Sequence, residues 1–166
     1  TAPTVGPGGA ALKFSLTVSD TVATNSSEVA VTVLNVNDPP VCNLARASVS
    51  VLWPPNHVLV PVSILGVTDP NNDGIAIEIT RVTQDERVNG LGDGDTSPDA
   101  VIQNGQVLVR AERAGNGNGR VYQIQFTADD GQGGSCTGSV NVRVPLNMKK
   151  GSTAVDSGQL YDSTLP

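Results

Sequence analysis

Two stretches of this chain carry oxygen-bearing side chains at a spacing that suits a hard cation. In "DPNNDG" (69–74), Asp69, Asn71 and Asp73 alternate and Gly74 permits a sharp turn. That is the pattern of the first half of a calcium loop, in which alternate oxygen ligands wrap the ion. The bidentate Glu such a loop needs at its twelfth position is absent, and Thr80 stands there. A plain Asx-rich turn between strands fits the same residues. In "GDGDTSPDA" (92–100), Asp93, Asp95 and Asp99 recur with Ser97 between them, and Asp85 and Glu86 lie just upstream. Carboxylates this close repel one another unless a cation neutralises them. A loop running from 84 to 100 is also too long to order without a tie. Calcium is the expected tie, with a solvated acidic loop as the alternative.

A third cluster, "LWPPNHVLVPV" (52–62), holds the only tryptophan and the only histidine, Trp53 and His57. Pro54 and Pro55 remove two backbone donors, so a strand must break there. The expected arrangement is a corner, with Trp53 packed on the aliphatic core and His57 bonded to a carbonyl. A sugar-stacking platform is the rival reading of Trp53 and His57. A lone histidine without a nucleophile beside it makes no catalytic pair. Paired carboxylates around a sugar cleft can hydrolyse glycosides, but short strands with few aromatics build a filled body without a cleft. No enzymatic activity is expected.

The composition bounds the partners. Ten basic residues against sixteen acids give a net charge of −6, whereas nucleic-acid binding needs a basic stripe. No apolar run approaches the ~18 residues that insertion into a membrane as a helix requires. Cys42 and Cys136 are the only cysteines and fit one disulfide made in an oxidising compartment, two buried thiols being the alternative. The chain starts at Thr1 without Met, so excision from a longer precursor is expected.

Two stretches of the chain repeat. "LKFSLTVSD" (12–20) places Leu12, Phe14, Leu16 and Val18 on one face, and "YQIQFTADD" (122–130) does the same with Tyr122, Ile124, Phe126 and Ala128. Period-2 alternation of this length marks a half-buried strand. Each stretch passes through a polar turn into a second alternating strand, "EVAVTVLNV" (28–36) and "GSVNVRVP" (138–145), which makes two hairpins. Between them the pattern predicts five further strands, near 41–52, 58–67, 75–83, 101–103 and 106–113. With 120–129 and 136–145 they make a set of seven. The first hairpin has no such set before it.

"FSLTVSD…VAVTVLNVNDPP" resembles the closing hairpin of bacterial cadherin-like and PKD-like repeats. "LWPPNHVLVPV…VYQIQFTADDGQGGSCTGSVNVRVP" resembles an immunoglobulin-like domain of large secreted bacterial proteins. The resemblance implies an all-β fold: a seven-strand immunoglobulin-like sandwich at 38–146, preceded at 1–37 by the terminal β-hairpin of another such repeat. It also implies an extracellular, non-catalytic module. "NVNDPP" (35–40) resembles the cadherin linker, in which Asn and Asp ligands join neighbouring domains through Ca2+, and Asn37 and Asp38 match that pattern best. A Pro-stiffened linker without metal is the alternative. Thr21 departs from the repeats, which place Gly in that turn. First and last strands of such a sandwich run near one another, so a Cys42–Cys136 bridge would staple its ends.

The expected function is a structural or interaction module of a secreted surface protein, stabilised by Ca2+. Its expected partners are neighbouring repeats or identical subunits. A carbohydrate-binding or adhesin module with glycan partners is the alternative. The remaining stretch, 147–166, is expected as an extended tail and a candidate donor strand, which would make the chain a filament subunit.

Overall fold

The computed structural model describes residues 5, 6 and 8–166, so Thr1, three residues after it and Pro7 lie outside the described part of the expected first unit. Its strands are β1 (Ala10–Ser19), β2 (Thr24–Val33), β3 (Arg46–Ala47), β4 (Leu59–Val62), β5 (Ile64–Leu65) and β6 (Ala76–Gln84), followed by β7 (Ala100–Gln103), β8 (Gln106–Arg110), β9 (Arg120–Asp129), β10 (Ser135–Val144) and β11 (Tyr161–Asp162). No helix occurs among the described residues. All strand pairs are antiparallel.

The first hairpin, β1–β2, is a two-stranded sheet by itself. Its register, from Ala10 opposite Val33 to Ser19 opposite Thr24, sets Leu12 against Val31 and Phe14 against Val29. Directly opposed residues share a face, so the apolar residues of both strands gather on one side. Phe14, Leu16, Val18, Val29 and Val31 remain exposed there. Asp20 closes the turn: its Oδ1 accepts the N–H groups of Val22 and Ala23, and its own N–H donates to the Ala23 carbonyl. Thr21 is forced to φ 77°, the left-handed region that a β-branched residue occupies only under strain.

The body of the chain holds a four-stranded sheet, ordered β10-β9-β6-β11, and a three-stranded sheet, ordered β4-β8-β7. One core unites them: Val62, Val107 and Val109 from the second sheet meet Val82, Tyr122, Ile124, Phe126 and Val142 from the first. The alternation in 122–128 therefore points inward as read, and each fully buried Val or Ile contributes about 1.5–3 kcal/mol. Phe126 lies over Gly138, where an added Cβ would stand 2.7 Å from its ring. Phe126→Ala would cost roughly 3–5 kcal/mol through the cavity it leaves.

Three expectations about strands are corrected. The stretch 41–52 is not one strand. Val41 bridges Thr68, β3 pairs β5, and Val51 bridges Arg143 in parallel, so this segment changes partners along its length. It lacks the strict alternation that holds a strand to one neighbour. The stretch 58–67 divides likewise at Ser63, β4 pairing β8 and β5 pairing β3. The third correction is the tail. Residues 147–166 do not extend away from the body, because β11 lies along β6 with Tyr161 opposite Gln84. Buried Ser163 donates its N–H to the Val82 carbonyl of the first sheet and accepts the Ala100 N–H of the second. The tail thus bridges the edges of both sheets in its own molecule and is not a free donor strand.

The expected disulfide is present: Cys42 and Cys136 are bonded, with Cα atoms 6.0 Å apart. It ties the segment before β3 to β10 across 94 residues, which stabilises by about 4–5 kcal/mol in the chain-entropy model. Disulfides of this kind belong to oxidising compartments.

Candidate functional site

The junction between the first hairpin and the body gathers more of the expected ligands than any other place. It is built from two Asx turns and the linker 35–40 that runs between them. In the β9–β10 turn, Asp130 Oδ1 accepts the N–H groups of Gln132 (2.7 Å) and Gly134 (2.9 Å). Its N–H donates to the Gly134 carbonyl at 3.1 Å. This is the turn of Asp20 repeated with one more residue. Here the second oxygen is also used: Asp130 Oδ2 accepts Asn37 Nδ2–H at 2.8 Å. In the 69–73 turn, Asp69 Oδ1 accepts the N–H groups of Asn71 (2.7 Å) and Asp73 (3.1 Å). Asn71 then grips the linker, its Oδ1 accepting the Asp38 N–H at 2.7 Å and its Nδ2–H donating to Asn35 Oδ1 at 3.1 Å.

These bonds leave a residue of acceptors. Asn37 Oδ1, Asp69 Oδ2 and Asp73 Oδ2 are buried and have no hydrogen-bond partner. A buried acceptor left unpaired costs about 1–3 kcal/mol, so three at one junction need a donor or a cation. Burial raises the pKa of Asp73 above the usual carboxylate range, and the nearby charges of Asp69 and Asp130 add to the rise. Burial also works to raise Asp130, but the bonds from Asn37, Gln132 and Gly134 outweigh it and hold that group below the usual range. Asn37, Asp69, Asn71 and Asp73 are thus brought together. Asp38 contributes its backbone N–H while its side chain is exposed. Asn71 serves as a clamp, its amide oxygen already taken. Among the described residues no three His, Cys, Asp or Glu side chains form a ready-made metal site. The junction's unpartnered oxygens are a mixed set of carboxylate and amide, the donor chemistry of a hard cation such as calcium.

Loop 84–100 is organised differently from the expectation. Its tie is the guanidinium of Arg120, which is wholly buried. Arg120 donates to Asp99 Oδ2 (2.7 Å), Glu86 Oε2 (3.2 Å) and Asp93 Oδ2 (3.4 Å). Burial lifts Asp99 to a pKa of about 6, against the pull of Arg120 and the bond from Gln84. Asp95 is exposed and joins this set only through its backbone N–H, which donates to Asp93 Oδ1 at 3.1 Å. So Asp93 and Asp99 surround an internal cation, and the three aspartates do not converge on a common point. Residue 120 falls on the inward face of β9, in step with Tyr122, Ile124 and Phe126. An arginine in that phase demands carboxylates, and this was the signal that could have found the network.

The corner at 52–58 is present, but with other contacts. Leu52 fills the core while Trp53 stays 46% exposed, which corrects the packing expected of Trp53. His57 sits at φ 64°, and its Nδ1 meets the buried carboxylate of Glu112 at 2.8 Å instead of a carbonyl. Thr96 Oγ1–H donates to the same Glu112 oxygen.

Comparison with known proteins identifies no family: no family model, no curated protein and no solved structure matches this chain.

Proposed function

We propose that the chain is a non-catalytic structural module of an extracellular modular protein, with calcium locking the linker between its hairpin and its body. The observation that carries this reading is the trio of buried, unpartnered oxygens at the junction, Asn37 Oδ1, Asp69 Oδ2 and Asp73 Oδ2. Calcium takes six to eight oxygen ligands, and these three with the Asp130 carboxylate would supply the protein's share. The ion would relieve the mutual repulsion of Asp69, Asp73 and Asp130 and fix the linker's angle. The chain's own residues hold the linker meanwhile through Asn37, Asn71 and Asp130. Two sheets sharing one core support an immunoglobulin-like sandwich for the body. The disulfide supports an oxidising location. The exposed apolar face of β1–β2 supports a neighbouring repeat as partner, since a lone two-stranded sheet is marginal in water. The tail, seated on its own sheets, is no donor strand in this reading.

Isothermal titration of the intact, metal-stripped chain with CaCl2 tests it. One saturable binding event is expected, abolished in Asp69→Asn/Asp73→Asn. Heat no larger than dilution would refute the calcium reading.

A further inference from the structure

The hairpin β1–β2 has an apolar face that the other described residues leave open. Its register puts Leu12, Phe14, Leu16 and Val18 of β1 on one side with Val29, Val31 and Val33 of β2. Phe14, Leu16, Val18, Val29 and Val31 are each 45–69% exposed. The hairpin β9–β10 has the same plan, yet its inward Tyr122, Ile124, Phe126 and Ala128 are buried, because the sheet β4-β8-β7 packs on them. A hairpin of this build therefore takes a second apolar layer.

Charge and area select the occupant. Lys13 and Glu28 point to the opposite side, paired with Ala30 and Ser15, and Asp20 is turned into the hairpin's own loop. A second copy can thus approach the face without like-charge repulsion at the contact, although each chain carries a net charge of −6. The five exposed apolar side chains offer roughly 500 Å² per copy, so a two-fold pair buries about 1,000 Å² in total, the size at which specific interfaces begin. Contiguous apolar patches of this extent mark interaction sites. Asn25 and Ser27, the polar members of the face, stand at its turn end. There a hollow of about 610 Å³ beside Leu16 and Val18 gives relief that side chains of a facing copy can fill.

We propose that this face is covered by the same face of a second copy, the two hairpins stacking as a two-layer sandwich. The inference rests on the reading of the chain as a structural module and names the partner of its hairpin. The contact is isologous, so it closes at two copies and does not propagate. Antiparallel stacking sets the two bodies at opposite ends of the sandwich, since each body follows the open end of its hairpin at Val33. The calcium junction takes no part in the contact.

Sedimentation equilibrium of the intact chain, in calcium and in chelator, tests this. A monomer–dimer equilibrium with Kd on the order of 10 µM is expected in both. Leu16→Glu should weaken it at least about a hundredfold, because it buries two like charges at the contact. Val22→Glu adds the same charge at an exposed turn residue off the face and should leave Kd within about twofold. Since Leu16→Glu also weakens the hairpin itself, isotope-filtered NOEs in a mixture of labelled and unlabelled native chains give a second measure. They should connect residues of the apolar face in one copy with residues of the same face in the other. A chain monomeric up to about 1 mM would overturn the inference. So would a dimer confined to calcium, a dimer insensitive to Leu16→Glu, or cross-chain NOEs that lie off the face. Calcium binding is read separately by the titration above, so the two readings fail independently.

Discussion

Asn37 and Asp130 lie 93 residues apart in sequence and are joined by a 2.8 Å hydrogen bond that fastens the linker to the β9–β10 turn. The turn of the first hairpin has the same plan around Asp20, yet the two differ where the linker would press. Gly134 occupies the position of Ala23. A Cβ on Gly134 would stand 2.2 Å from Asp130 Oδ2, 2.8 Å from Pro39 Cα and 3.0 Å from Asn37 Nδ2. The second turn is shaped for a docked linker, and the first is closed to one of that geometry.

Gly134→Ala should therefore undock the linker without disturbing the turn's backbone. Overpacking of this kind costs about 1–3 kcal/mol. Hydrogen exchange checks it: the Asp38 amide, which donates to Asn71, should lose protection, while amides in the middle of β9 keep theirs. Unchanged protection at Asp38 would show that the linker adapts.

Thr21→Gly should relieve the left-handed residue in the first turn. Removing the Cβ penalty gains about 1–2 kcal/mol, offset in part by the entropy of a more flexible unfolded chain. A net gain near 0.5–1 kcal/mol corresponds to roughly two- to fivefold stronger exchange protection along β1–β2. Weaker protection would mean that the Asp20 bonds already compensate the strain.

Asp99 gives the body a pH dependence of definite sign. Its folded pKa of about 6 lies above the unfolded carboxylate value, so the protonated form is favoured in the fold. That stability is fully present below about pH 4 and is lost as pH rises through 6. Urea denaturation of the native chain and Asp99→Asn at pH 4.5 and pH 7 should show the native chain losing about 2 kcal/mol relative to the variant. A parallel response of the two chains would place the ionised carboxylate at ease beside Arg120.

The hairpins were legible because period-2 alternation at Leu12–Val18 and Tyr122–Ala128 is a local signal, and the disulfide because two cysteines leave a single pairing. The 69–73 turn was legible too, as Asp69 accepts the Asn71 and Asp73 N–H groups in its own neighbourhood, but its meeting with the linker was not, because Asn71 reaches Asp38 across 33 residues and Asn37 reaches Asp130 across 93. What escaped depends on distant partners. Arg120 meets Asp93 and Asp99 from another strand, and Glu112 meets His57 across 55 residues. The seating of Ser163 between two sheet edges rests on backbone bonds, which no side-chain pattern announces. Asp130 Oδ2 is likewise aimed by tertiary packing on Asn37, not by its own turn.

Thermal unfolding of the intact chain in excess calcium and in excess chelator, alongside Asp69→Asn/Asp73→Asn, tests the calcium-locked junction most directly. A ligand held only by the folded state stabilises by mass action, about 2.7 kcal/mol at a hundredfold excess over Kd. The native chain should melt higher in calcium and lower in chelator, and the double variant should melt at one temperature in both. Superimposable melting curves of the native chain with calcium and with chelator would contradict the account.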